Sequence, residues 1–147
     1  MDDPLVTEDA RALVADLTIR RQSIATAESL TAGLLAATLA GVAGASVVLR
    51  GGLVTYIEDT KIALAGVAPQ LLDAVGPVAA PTARAMAVGA RQRCAATWGV
   101  GLTGVAGPEP HGGHAVGTVF LGWPGPSTPR SSSWRCPVHA GKSGWQR

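Results

Sequence analysis

Ser29, Tyr56 and Lys61 each carry a group that can serve nucleophilic or proton-transfer chemistry, and each also has a plainer structural reading. Ser29 lies in the run Thr26-Ala27-Glu28-Ser29-Leu30-Thr31-Ala32-Gly33, between a short apolar, strand-like segment and an apolar, helix-like one. A strand that hands over to a helix presents unpaired backbone N–H groups and the positive end of a helix dipole, which stabilise anions and developing oxyanions. The N–H groups of Thr31, Ala32 and Gly33 are the candidates for that task. The serine itself can be an anchor, a helix cap or a nucleophile, and a nucleophile needs a base beside it. A lysine serves as that base only when burial or a neighbouring cation lowers its pKa from about 10.4 toward neutrality. Lys61 is the only lysine before residue 124, in a short amphipathic segment where a solvated side chain is the plainer reading. Tyr56, the only tyrosine, can relay a proton, hold a substrate or pack as a strand aromatic.

The elements that must position these residues follow from periodicity and punctuation. Thr7-Glu8-Asp9 reads as a cap with acids in the first turn, and Ala10, Leu13, Val14 and Leu17 recur at helical spacing, which predicts a helix over about Glu8 to Gln22. Ser23 to Ala27 is a short buried strand. After the serine run a helix continues to about Leu39, ended by Gly41 and Gly44. Val47-Val48-Leu49 and Leu53-Val54-Thr55-Tyr56 flank Arg50-Gly51-Gly52, as one strand with a glycine interruption where backbone or ligand approaches closely. Short helices are expected over Glu58 to Ala65 and from Pro69 to Val75, and a longer one over Thr82 to Trp98. Gly99 to Thr103 and Ala115 to Gly122 are strands around a loop rich in glycine and proline. Strands alternating with helices predict an α/β fold, a three-layer α/β/α domain.

Composition narrows the classes. The chain has 147 residues, 47% hydrophobic and 15% charged, enough for one domain with a real core. The net charge of +2 comes from the end of the chain: residues 124–147 hold Arg130, Arg135, Lys142 and Arg147 with no acid, while the body is slightly acidic. Without a basic stripe on the body, nucleic acid is not the expected partner. The nearly uncharged stretch Leu30 to Leu49 is interrupted by polar residues and glycines, so Leu30 to Leu39 reads as a buried helix and not a membrane span. The start of the chain shows no cationic, apolar signal segment, which predicts a cytoplasmic location. Cys94 and Cys136 form neither a zinc pattern nor a disulfide framework, and His111, His114 and His139 lack ligand companions, so no metal is expected. After Trp123, half of the residues are Gly, Pro or Ser and no periodic pattern survives, so the domain is expected to span 1–123 and a poorly ordered tail 124–147.

Several segments in order resemble one family. The serine run, Arg50-Gly51-Gly52-Leu53-Val54-Thr55-Tyr56, Lys61 with Leu64 and Gly66-Val67, Ala85-Met86-Ala87 with Gly89-Ala90-Arg91, Leu102-Thr103-Gly104-Val105-Ala106-Gly107-Pro108 and Gly117-Thr118-Val119 are together similar to the CinA C-terminal domain, the nicotinamide-nucleotide amidohydrolase family. The resemblance covers about Leu5 to Trp123. It implies a mixed, mostly parallel sheet between helices. It implies hydrolysis of the carboxamide of nicotinamide mononucleotide, a pyridine-nucleotide salvage step that uses no cofactor. Ser29 matches the nucleophile position and Lys61 the base, with Tyr56 beside them. Glu28 either orients Lys61 or a ribose hydroxyl, or sits in the first turn of the helix. Arg50 meets the phosphate or lies on the strand surface. Gly51 and Gly52, with Thr103, Gly104, Ala106 and Gly107, are expected to let backbone approach the ligand. Ala32 stands where the family commonly has glycine, so a positive φ there would be strained. Family members often self-associate, so the resemblance allows a homo-oligomer, while the sequence itself leaves the oligomeric state open. The end of the chain departs from the family pattern, and the alternative reading is a nucleotide-binding module that keeps the pocket without turnover.

Overall fold

The Thr7 hydroxyl accepts from the Ala10 N–H at 3.1 Å and starts helix α1, Glu8–Arg20, with Ala10, Val14 and Leu17 buried along one stripe. The computed structural model describes residues 4–126. Strand β1, Ile24–Glu28, follows and is buried over its whole length. Helix α2, Leu34–Ala40, is reached through a turn at residues 29–33. A 3-10 turn, Ala45–Val47, leads to β2, Leu49–Val54. Then come α3, Glu58–Ala63, α4, Pro69–Val75, and α5, Ala80–Arg93. Strands β3, Trp98–Gly104, and β4, Val119–Gly122, complete the sheet.

The strand order is β2-β1-β3-β4, with β1 parallel to both neighbours and β4 antiparallel to β3. The sheet is therefore mixed and mostly parallel, as expected. Because successive strand residues point to opposite faces, β1 divides its side chains between two cores. Ile24 joins α1 and the residues from Leu39 to Val48. Ala25 and Ala27 join Leu72, Met86 and Ala90 on the other side. Helix α5 lies close on β3: a methyl group on Gly99 or Gly101 would run into the carbonyls of Ala87 and Ala83.

Several boundaries differ from the sequence reading. The buried helix expected from Leu30 starts only at Leu34, because residues 29–33 are spent on a turn with Ala32 at φ 49° and Gly33 at φ 99°. Strand β2 runs through its glycines, and the expected interruption is a register shift against β1 that leaves Arg50 out of the pairing. The helix expected to reach Trp98 stops at Arg93, and Trp98 instead begins β3. The segment expected as a tail begins in the fold: the Pro124 carbonyl accepts from Gly99 at 3.2 Å, and Pro124 and Gly125 are buried. Residues 127–147, with Cys136, His139 and the basic residues of that segment, lie outside the described residues. Among the described residues, no helix is long and apolar enough to cross a membrane, and no group of three His, Cys, Asp or Glu could hold a metal.

Candidate active site

Strand alternation decides where the serine run points. Ala27 faces the α5 side, Glu28 faces α2, and Ser29 turns back toward the side that carries α3. Helix α3 opens one residue beyond Ile57 and places Lys61 a turn later. The Lys61 amine is thereby brought under the carboxyl ends of β1 and β2, and the residue is 1% exposed. Its Nζ lies 2.9 Å from the Ser29 Oγ, 2.8 Å from the Thr55 carbonyl and 3.2 Å from the Tyr56 carbonyl. The Ser29 Oγ is also 3.3 Å from the Tyr56 carbonyl.

This cradle accommodates both protonation states of the amine. As an ammonium, Lys61 donates to both carbonyls and to Oγ, and the serine hydroxyl donates to the Tyr56 carbonyl. As a neutral amine it donates to the two carbonyls, and its lone pair accepts the serine proton. Burial pushes the Lys61 pKa below its ordinary value of 10.5, while the Glu58 carboxylate pulls it upward. The net lowering moves the amine toward the base form that serine activation requires.

Ser29 and Lys61 open onto a cleft of about 510 Å³. Tyr56, Thr103, Gly104, Ala106 and Gly107 also line it, so seven residues singled out from sequence share one cavity. The Thr103 hydroxyl donates to the Pro77 carbonyl at 2.7 Å and so ties β3 to the loop before α5. Tyr56 is 59% exposed at the cleft, and it is the tyrosine's carbonyl, not its phenol, that touches Ser29 and Lys61. A relay through the phenol is therefore corrected to a carbonyl that accepts from both groups.

Seven expected substrate-binding residues stand elsewhere. Glu28 is fully buried and turned away from Lys61, accepting from the N–H groups of Leu35 and Ala36 at 3.0 and 2.9 Å. Thr31 donates to the same carboxylate, the Ala32 N–H to the Ser29 carbonyl, and Gly33 leads into α2. The start of α2 is thus satisfied by the chain's own carboxylate, and Thr31, Ala32 and Gly33 do not line the cleft. Arg50 donates from Nε to the Cys94 carbonyl at 3.0 Å. It precedes the Ala25–Gly51 pairing, so it lies at the amino end of the parallel strands, roughly 13 Å along β1 from Ser29 at about 3.3 Å per residue. Gly51 and Gly52 serve packing: a Cβ on Gly52 would come within 2.8 Å of the Thr26 Oγ1 and 2.9 Å of the Ala36 Cβ.

The cleft also takes in residues that sequence reasoning passed over. Ile57 and Glu58 flank the lysine, and Pro77 and Val78 enter from the loop ahead of α5. Ile57 and Glu58 adjoin Tyr56, which is the signal that could have found them. Nothing local marks Pro77 and Val78, whose place depends on Thr103. His111 lines the mouth with Glu109, while His114 packs edge-on against Phe120 with ring centroids 5.0 Å apart.

A family model for the CinA C-terminal domain matches residues 7–142. The chain belongs to the CinA C-terminal domain family. CinA-like proteins of Frankia casuarinae and Anaeromyxobacter dehalogenans are 47% and 48% identical to it over 118 residues each. These matches cover 80% and 78% of this chain but 27% and 28% of the relatives, so the chain spans about a quarter of their length. Among solved structures, competence/damage inducible protein CihA from Agrobacterium tumefaciens superposes with a TM-score of 0.79 at 37% identity, over 86% of this chain and 77% of that one. A competence-damaged protein (CinA) superfamily protein from Escherichia coli gives 0.76 at 31%, over 84% and 73%. The CinA fold is therefore the scaffold on which Ser29 and Lys61 meet.

Proposed function

We propose that this CinA-family domain hydrolyses the carboxamide of nicotinamide mononucleotide to nicotinate mononucleotide and ammonia, with Ser29 as nucleophile and Lys61 as base. The observation that carries the reading is the buried Lys61 amine 2.9 Å from the Ser29 hydroxyl, at the wall of an open cleft. An amine held in water would be an ammonium and could not take the serine proton; one lowered by burial can.

In this reading the Ser29 Oγ attacks the carboxamide carbon as its proton passes to the Lys61 Nζ. The tetrahedral oxyanion needs donors beside the serine. The N–H of Leu30, which follows Ser29, and those of Ala106 and Gly107 across the cleft are the groups we assign to it, in place of Thr31, Ala32 and Gly33. The ammonium of Lys61 then protonates the departing nitrogen, which leaves as ammonia, and the acyl group remains on Ser29. Water gives a proton to the neutral Lys61 as its oxygen bonds the acyl carbon, the Lys61 ammonium returns that proton to the departing Ser29 oxygen, and the released acid ionises to the carboxylate. The exposed Tyr56 ring at the cleft supplies a flat apolar face for the pyridine.

Chromatography of the mononucleotide after incubation with the purified chain tests the reaction. The nicotinate mononucleotide peak is expected to grow with the wild type and to fall by about 10³-fold in rate with Lys61→Met, the order seen for loss of a general base. A product peak that Lys61→Met leaves unchanged removes the lysine from the mechanism.

A further inference from the structure

Glu28 is a carboxylate wholly removed from solvent, and the mechanism above makes no use of it. Its Oε1 accepts from the Thr26 hydroxyl at 3.2 Å and the Ala36 N–H at 2.9 Å. Its Oε2 accepts from the Thr31 hydroxyl at 2.6 Å and the Leu35 N–H at 3.0 Å. All four neighbours can donate, and the two backbone N–H groups can do nothing else. A carboxylate, an acceptor at both oxygens, satisfies the set. An amide of the same shape cannot: whichever way it is turned, its NH2 group meets the N–H of Leu35 or of Ala36.

These bonds span the turn that contains Ser29. They join the last residue of β1 to the first turn of α2, with residues 29–33 looped between. Ser29 is held from inside that loop as well: its N–H donates to the Leu102 carbonyl at 2.9 Å, and its carbonyl accepts from Ala32 at 3.0 Å. The Oγ direction depends on this backbone, and the 2.9 Å contact with Lys61 depends on the Oγ direction.

We propose that Glu28 is a positioning residue for Ser29: its carboxylate is the built-in anion of α2 and holds the turn that aims the serine at Lys61. The same carboxylate occupies the N–H groups that would otherwise attract a phosphate, so a nucleotide's phosphate is bound away from α2. The inference rests on the reading of Ser29 as the nucleophile, and not on the identity of the substrate.

The test is Glu28→Gln in the full chain, read two ways at a temperature well below its melting transition. Labelling of Ser29 by a fluorophosphonate reports serine reactivity whether or not the mononucleotide is a substrate, and ammonia release gives kcat and KM. Glu28→Gln is expected to lower the labelling rate and kcat by about ten- to a hundredfold, the cost of a misplaced reacting group, with KM kept within twofold. Labelling and kcat within twofold of wild type in the folded variant overturn the proposal and leave Glu28 a fold residue only. Wild-type labelling without ammonia release refutes the substrate alone. A wild type whose Ser29 does not label overturns the proposal too. If Glu28→Gln does not fold, Thr31→Ala and Thr31→Ser decide: the alanine is expected to slow labelling at least threefold and the serine to restore most of the loss, whereas equal rates overturn the proposal.

Discussion

The Lys61 Nζ stands 2.9 Å from the Ser29 Oγ, although 32 positions separate the two residues in the chain. The contact is made by the end of β1 and the first turns of α3, which come together because β1 and β2 are parallel neighbours and α3 follows β2 directly. The amine is surrounded by two carbonyls and a hydroxyl, and the Glu58 carboxylate at the cleft acts on it electrostatically.

The first prediction concerns pH. Burial disfavours the ammonium, so Lys61 titrates below 10.5, and the fraction of free base rises as pH increases through that lowered midpoint. The rate of amide hydrolysis is expected to rise along the same curve. Glu58 stabilises the ammonium, so Glu58→Gln moves the midpoint further down and raises activity on the acidic limb. The chain has only two lysines, Lys61 and Lys142. NMR of lysine labelled with carbon-13 at Cε therefore reads Lys61 directly, and a Lys61 signal with an ordinary titration refutes the assignment of the base.

A second prediction separates two buried threonines. The Thr55 Oγ1 is buried with no hydrogen-bond partner among the described residues, whereas the Thr103 hydroxyl donates to the Pro77 carbonyl. Thr55→Val removes a desolvated hydroxyl without a partner and is expected to stabilise the fold by about 1 kcal/mol. Thr103→Val strands the Pro77 carbonyl and is expected to cost about 1 kcal/mol. Denaturant midpoints of the two variants should move in opposite directions.

Ala32 carries the third. At φ 49° it occupies the left-handed region, where an L-residue with a Cβ is strained by roughly 1–2 kcal/mol. Glycine relieves that strain at some cost in unfolded-chain entropy, so Ala32→Gly is expected to stabilise the protein by about 0.5–1 kcal/mol. Thermal unfolding checks it; a lower melting temperature contradicts the strained backbone.

Arg50 gives the fourth. Its guanidinium is committed to the Cys94 carbonyl at the amino end of the sheet. Arg50→Ala is therefore expected to leave the KM for the mononucleotide within twofold of wild type. A tenfold rise would place the phosphate at this arginine after all.

Much of this architecture is legible in local pattern. The alternating strands and helices, the cap at Thr7 and the Pro69 helix start need only neighbouring residues to be read. Ser29, Tyr56, Lys61 and the Thr103–Gly107 segment are named by the ordered segments that resemble the CinA family, not by type alone, and they share one cleft. What local pattern does not carry is register and facing. Glu28 and Ser29 are adjacent, yet strand alternation sends one to cap α2 and the other to meet Lys61. Arg50 follows the same logic, since its position in β2 puts it at the wrong end of the strand for the cleft. The glycines at 51 and 52 read equally well as ligand contacts or as packing, and only the neighbouring Thr26, Ala36 and Cys94 decide for packing. Tyr56 contributes its carbonyl, a group that every residue has and that side-chain chemistry does not reveal.

The most direct test of the Ser29–Lys61 account is ammonia released from nicotinamide mononucleotide by the intact chain, measured beside Ser29→Ala. The account predicts steady release by the wild type and a loss of about 10³-fold or more in kcat on removing the serine hydroxyl. Ammonia release that Ser29→Ala leaves undiminished, or a folded wild type that binds the mononucleotide and releases none, contradicts it.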